Sequence, residues 1–202
     1  MDSINKLINI ISNIPGLGPK SSRRCVLHLL NKRDFMGSLT LALTDVLNNV
    51  KHCKQCFNFT NRMESLCNIC MDSTRKKNII CVVETVADLW SLEQGKMFDG
   101  QYYVLGGRLS AVEGVTPDDL NIKDLEQRVI KDKPEEVIIA TNFTLEGKTT
   151  GIYIAEIMRK HTVNVSVLAH GLPVGGEIDY MDIATLEFAM RGRKRYDDGL
   201  LD

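Results

Sequence analysis

The chain has 202 residues, 44% of them hydrophobic, with 25 Lys and Arg against 26 Asp and Glu. That length leaves room for one or two small domains with a sizeable core. No apolar run approaches membrane length, and the Ile4–Ile11 stretch, interrupted by Asn5, Lys6 and Asn9, is not a signal peptide. A cytoplasmic protein without membrane contact is expected.

The net charge of -1 hides a division. Residues 1–80 carry 12 Lys and Arg against 5 Asp and Glu, a charge of +7. Residues 81–202 carry 13 against 21, a charge of -8. A basic front half suits a polyanion, and an acidic back half suits basic surfaces.

Ile4, Leu7, Ile8 and Ile11 recur at helical spacing, with Ser3 as the expected cap. Ile14-Pro-Gly-Leu-Gly-Pro-Lys20 then demands a tight hairpin. Pro19 suits the first turn of the next helix, which runs through Arg23, Arg24, Val26, Leu27, Leu29 and Leu30. A glycine-rich hairpin between two short helices is the helix-hairpin-helix arrangement, and its physics suits DNA. Gly16 and Gly18 let backbone approach a phosphate, and the following helix points free N–H groups at the same place. Lys20, Arg23 and Arg24 add formal charge that reads the phosphate backbone, not the base sequence. An ordinary αα-turn is the alternative. His28 is expected to be a partly buried helix residue. Leu39, Leu43, Val46, Leu47 and Val50 predict a third helix after a Ser38 cap.

Cys53-Lys-Gln-Cys56 and Cys67-Asn-Ile-Cys70 follow, ten residues apart. Two Cys-x-x-Cys pairs this close can offer four thiolates to one tetrahedral ion, and soft sulfur ligands favour Zn²⁺. The residues between are too few and too polar for a core, so the metal holds the stretch together. Four sulfurs leave no open coordination position, which makes the site structural. Disulfides are the second choice, because nothing else in the chain looks secreted. Cys25 and Cys81 lie in apolar surroundings and are expected to be buried thiols. Arg75-Lys-Lys77 is expected to be a solvated basic hinge.

From residue 79 the pattern changes. Strands are predicted over Ile79–Glu84, Gln101–Leu105, Glu136–Thr141 and Val163–Leu168. Helices are predicted around Val86–Trp90, around Leu125–Ile130, over Gly151–His161 and from Asp182 to Met190. Loops fall at 106–117 and, after His170, at 171–176. Such alternation implies a mainly parallel sheet covered on both faces. Its ligand site lies at the strand C-terminal ends, which here carry Glu84 and the loop 142–147. A basic run, Arg191–Arg195, precedes a short acidic tail.

Two chemistries are possible at those strand ends. A phosphate-binding loop needs Gly-x4-Gly-Lys-Ser/Thr; Gly147, Lys148 and Thr149 fit, but the first position is Asn142. Phosphoryl transfer on nucleic acid needs several carboxylates around Mg²⁺. Glu84 and Glu146 are present, but Asn142 and Thr144 are neutral.

The ordered set of motifs resembles the bacterial recombination mediator family RecR across nearly the whole chain. It comprises the hairpin 14–21, Arg24, His28-Leu-Leu, the four cysteines and Val82-Val-Glu84. It continues through Leu105-Gly-Gly-Arg-Leu-Ser, Ala140-Thr-Asn, Thr144-Leu-Glu-Gly147, Gly171-Leu-Pro-Val-Gly-Gly176 and Thr185-Leu. The resemblance implies an α/β chain in four parts. These are a helix-hairpin-helix DNA-binding region over 1–52, a four-cysteine zinc finger over 53–75, a Toprim parallel-sheet domain over 79–173 and a short C-terminal helical assembly segment over 174–202. Catalytic Toprims carry Asp-x-Asp at the strand end; in RecR it is degenerate, as with Asn142 and Thr144 here. The family's usual Asn-Pro-Thr reads Asn-Phe143-Thr in this chain. The resemblance further implies a ring-like homo-tetramer that binds single- and double-stranded DNA without sequence preference. It works with RecO, and RecF where present, to load RecA onto single strands. Lys20 and Arg24 are the implied DNA contacts, and Glu84, Asn142, Thr144 and Glu146 the implied partner surface. The alternatives are a Mg²⁺-dependent Toprim nuclease or primase-like enzyme, and a nucleotide-binding switch.

Overall fold

In the computed structural model, which describes residues 2–61, 63–169 and 171–193, the chain divides into two compact units. The first comprises Met1–Cys53 with Phe59–Cys67, the second Lys54–Asn58 with Asn68–Asp202.

The first unit begins with three helices. α1 (Asp2–Ser12) buries Ile11 against Val26 and Leu29 of α2 (Pro19–Asn31), with Leu7, Ile8, Leu17 and Leu30 packed around them. Ser3 lies inside α1 and does not cap it. Gly16 takes φ +84, a left-handed conformation that favours glycine, and Pro19 opens α2 as expected. α3 (Arg33–Asn49) starts before the expected Ser38 cap. The chain breaks helix only at Lys32 (φ -122, ψ 74), and the Ser38 hydroxyl donates to the Asp34 carbonyl inside the helix. Val50, expected on α3, instead opens β1 (Val50–His52), which pairs antiparallel with β2 (Phe59–Asn61). The β-branched Val50 takes φ -110 and ψ 138, leaving the helix for the extended region just before the first cysteine.

The second unit carries a four-stranded, fully parallel sheet. α4 (Asn68–Met71) leads into β3 (Ile79–Val83), and α5 (Val86–Gln94) follows. Then come β4 (Gln101–Val104), α6 (Ile122–Asp132), β5 (Glu136–Ala140), α7 (Leu145–Met158) and β6 (Asn164–Val167). The strand order is β4-β3-β5-β6. Both faces are covered. Ile80, Val82, Tyr103, Val137 and Ile139 pack with Leu125 and Val129 of α6 and Ile154 and Met158 of α7. Cys81, Val83, Tyr102, Val104 and Ala140 pack with Leu89 of α5. A strand buried on both faces reads as a continuous apolar run, which is why Ile79–Val83 was legible. Thr85 and Asp88 close a capping box on α5. α8 (Ile183–Arg191) is capped by Asp182 and buries no residue.

The sequence places the start of α7 at Gly151; the helix begins at Leu145. Thr144 caps it, its hydroxyl accepting from the Gly147 N–H at 3.0 Å, so the glycine becomes first-turn helix instead of loop. The expected solvated hinge at Arg75 is also different. Arg75 pairs with Glu93 and donates to the Phe98 and Gly100 carbonyls, pinning the segment before β3 to the turn before β4. Lys194, Arg195 and the acidic tail, with His170, lie outside the described residues.

Candidate functional site

The four clustered cysteines are buried, at 0%, 0%, 3% and 7% exposure for Cys53, Cys56, Cys67 and Cys70. Their sulfurs all lie within 4.8 Å of one another. A tetrahedral zinc with bonds of about 2.3 Å sets its sulfurs about 3.8 Å apart, so the donor set fits such an ion. The Cys67 N–H donates to Cys53 Sγ at 3.3 Å, orienting that ligand. No disulfide joins any of the six cysteines, so the disulfide alternative is not realised. Cys81 is buried and Cys25 half-buried; burial pushes the Cys81 thiol up to about 12, which keeps it protonated and inert at neutral pH.

Lys20, Arg23 and Arg24 are all exposed on the first turns of α2, which hold no acidic residue. Gly16 and Gly18 are exposed, and a Cβ at either would meet nothing within 4 Å. Gly16 is required by its positive φ; Gly18, at φ -71, has no such intramolecular reason. His28 is exposed, not partly buried, and meets the Phe35 ring edge-on at 6.2 Å.

At the strand ends, Glu84 follows β3 and is only 2% exposed. Its Oε1 accepts from the Asn142 backbone N–H and its Oε2 from the Asn142 side-chain amide, each at 2.8 Å. Glu84 is therefore an internal clamp, not the surface residue its expected partner role requires. Asn142 spends its amide on this clamp and Thr144 spends its hydroxyl on the α7 cap. Glu146 differs. It is half-exposed in the first turn of α7, and its carboxylate makes no hydrogen bond or ion pair among the described residues. Its backbone carbonyl accepts from the buried Thr150 hydroxyl, which in turn accepts from the Leu109 N–H and so ties the long loop after β4 to α7.

Gly147 is a structural residue the sequence did not flag as such. A Cβ there would sit 2.1 Å from the Asn142 carbonyl oxygen and 2.7 Å from Glu84 Oε1. A second unforeseen feature is an aromatic cage. Lys148 Nζ lies 3.6 Å from the Phe143 ring centre and 4.3 Å from that of Phe188 on α8, and the two rings meet edge-on at 4.6 Å. Lys148 is thus held between rings, not extended as a phosphate-binding lysine would be. A carboxylate already spent on Asn142 and one free carboxylate are a poor Mg²⁺ site.

A parallel sheet with helices on both faces, a neutral strand-end pair and a cluster of four cysteines define a zinc-finger-like Toprim protein. The Toprim domain family matches residues 78–169, and the family described as RecR, C-terminal matches residues 171–194. A protein of Erythrobacter litoralis named Recombination protein RecR is 48% identical over 95% of this chain and 96% of its own length. Proteins of the same name from Neorickettsia sennetsu and Cereibacter sphaeroides are each 45% identical, over 95% and 96% of this chain and 97% and 96% of their own lengths. The chain belongs to the RecR family.

Gly147→Ala is expected to destabilise the protein by at least about 1–3 kcal/mol, because neither the Asn142 backbone nor the clamped carboxylate can yield. Denaturant unfolding checks this; a variant as stable as the parent would mean the clamp is not rigid.

Proposed function

We propose that this chain is a non-enzymatic, DNA-binding recombination mediator in DNA repair. It acts with RecO, and with RecF where present, to help load RecA onto single-stranded DNA. Family membership over 95% of the chain carries this conclusion. The exposed Lys20, Arg23 and Arg24 beside a glycine hairpin support sequence-independent contact with DNA, double- and single-stranded. The neutral Asn142 and Thr144 and the caged Lys148 speak against a Mg²⁺-dependent nuclease, a primase-like enzyme or a nucleotide switch.

One Zn²⁺ per chain is the proposed structural metal of the cysteine cluster. A homo-tetramer is the proposed assembly, supported by α3, which buries no residue and exposes Phe35, Leu41, Leu43, Val46 and Leu47. Its parts are the DNA-binding region 1–52, the zinc finger 53–75, the Toprim domain 79–173 and the assembly segment 174–202. The cytoplasm is its proposed location; no helix among the described residues is long and apolar enough to cross a membrane. Glu146, with the 79% exposed Leu145 beside it, is the proposed contact for a basic partner surface. Glu84, Asn142 and Thr144 contribute by shaping this loop.

Three outcomes test the proposal. Protein purified without chelator is expected to hold one zinc per chain, and Cys67→Ala to lose both the metal and much of its solubility; metal analysis decides. Lys20→Ala with Arg24→Ala is expected to weaken DNA binding and to lower the slope of log affinity against log salt by about 0.7–0.9 per lost phosphate contact. An unchanged affinity and slope would remove the hairpin as the DNA site. Glu146→Ala is expected to leave DNA binding intact and to reduce retention of RecO in pull-downs, most at low salt; equal retention would return Glu146 to a purely local role.

A further inference from the structure

Lys54–Asn58, the stretch that carries Cys56, belongs to the second compact unit and lies along a strand edge there. β4 is an outer strand of the β4-β3-β5-β6 sheet. An edge strand turns a row of backbone N–H and C=O groups outward, and these need partners. Leu105 N–H faces inward and donates to the Val83 carbonyl of β3 at 2.9 Å, whereas Val104 N–H faces outward and donates to the Cys56 carbonyl, also at 2.9 Å. The Tyr102 carbonyl accepts from Arg128 Nη1 at 3.0 Å, and the same nitrogen donates to the Gln55 carbonyl at 3.0 Å. Arg128, on α6, is only 8% exposed, and its Nε pairs with Asp132 at 3.2 Å. A buried guanidinium is costly unless its donors are used, so this bridge holds the arginine and both carbonyls together. Phe57 takes φ +62, a left-handed conformation uncommon outside glycine, and its ring meets Tyr103 edge-on at 5.5 Å. Ile69, inside the second cysteine pair, packs against the sheet core around Tyr102 and Val104.

We propose that Arg128 is a positioning residue of the metal site: by holding the Gln55 carbonyl it presets the backbone that presents the Cys56 sulfur. The proposal rests on the zinc reading above and deepens it. Ligand residues held by partners outside the coordination sphere bind metal more tightly, because their geometry is fixed beforehand. Two such supports meet at Cys56. Arg128 holds the residue before it, and Val104 N–H holds its own carbonyl. Coupling of this kind is reciprocal, so whatever the β4 edge contributes to zinc affinity is returned as steadier closure of that edge when the site is filled. The cysteines supply the sulfur, and the parallel sheet supplies the shape of the turn that carries Cys56. Arg128 lies 73 residues from Gln55 in the chain, so no motif spacing announces the link.

The test uses full-length protein and measures zinc affinity by competition with a chelator of known strength. Arg128→Met, which keeps the apolar stem and removes the donors, is expected to weaken zinc binding about ten- to a hundred-fold. Val129→Ala truncates a buried neighbour on the same helix without touching the bridge. It is expected to unfold at lower denaturant yet hold zinc as tightly as the parent. Asp132→Asn, which removes only the charge beside Arg128 Nε, is also expected to hold zinc like the parent. Equal zinc affinity in Arg128→Met and the parent would overturn the proposal. So would a matching loss in Val129→Ala, which would make the effect one of general stability. A second measurement needs no variant. When zinc is withdrawn from the parent, the Val104 amide is expected to exchange with solvent faster, while the Leu105 amide, which faces β3, stays protected. An unchanged Val104 amide, or equal loss at both, would overturn the coupling. Parent protein that holds no zinc would sink the metal reading and this proposal with it.

Discussion

The strand-end region is organised by one buried carboxylate. Glu84 is almost wholly removed from water, and both of its oxygens are held by Asn142, one through backbone and one through side chain. Hydrogen bonds to a charged group contribute about 1.5–3 kcal/mol each, and leaving such a group unpartnered costs more than the bonds return. The clamp therefore fixes where the chain leaves β5 relative to β3, its neighbour in the sheet. Everything after it follows. The turn must be short, Thr144 must cap α7 at once, and residue 147 must have no side chain, because the clamp occupies the space where a Cβ would be.

That constraint also decides the chemistry. In a parallel sheet the strand C-terminal ends are where catalytic groups gather. Here the one buried carboxylate is spent on holding the loop, the two positions between strand and helix are neutral, and Lys148 is enclosed by Phe143 and Phe188. What remains outward-facing is Glu146 and apolar surface. A face of that kind suits recognition better than phosphoryl transfer. The Phe143–Lys148–Phe188 contact also ties α8, which buries nothing of its own, to the strand-end loop.

The first unit follows a different logic. Its core, centred on Ile11, Val26 and Leu29, is small. α3 leaves most of its apolar side chains in solvent, and the short β1–β2 hairpin encloses only residues 53–58, Cys53 and Cys56 among them. A three-residue ladder is marginal in water without a cross-link. The buried sulfurs, all within 4.8 Å of one another, could provide the ligands for one.

Periodicity and residue chemistry determined much of this in advance. The four cysteines were legible because metal ligation needs a fixed residue type at a fixed spacing. The parallel sheet was legible because strands buried on both faces must be continuously apolar. The glycine hairpin was legible because only glycine takes φ +84 without strain. What the sequence left open were relations between distant positions. That Glu84 faces inward to Asn142 depends on β3 and β5 being neighbours, and no local pattern encodes strand order. The start of α7 depended on a cap that the strand-end geometry selects, so the helix began before Gly151, where local spacing placed it. Arg75 looked like part of a solvated basic run until the fold brought Glu93 and two carbonyls to it. His52 and Phe59 are separated by both cysteines of the first knuckle, and only antiparallel pairing stacks their rings. Local sequence sets what each segment can be; which groups meet is decided by tertiary packing, because a contact energy exists only once both partners are in place.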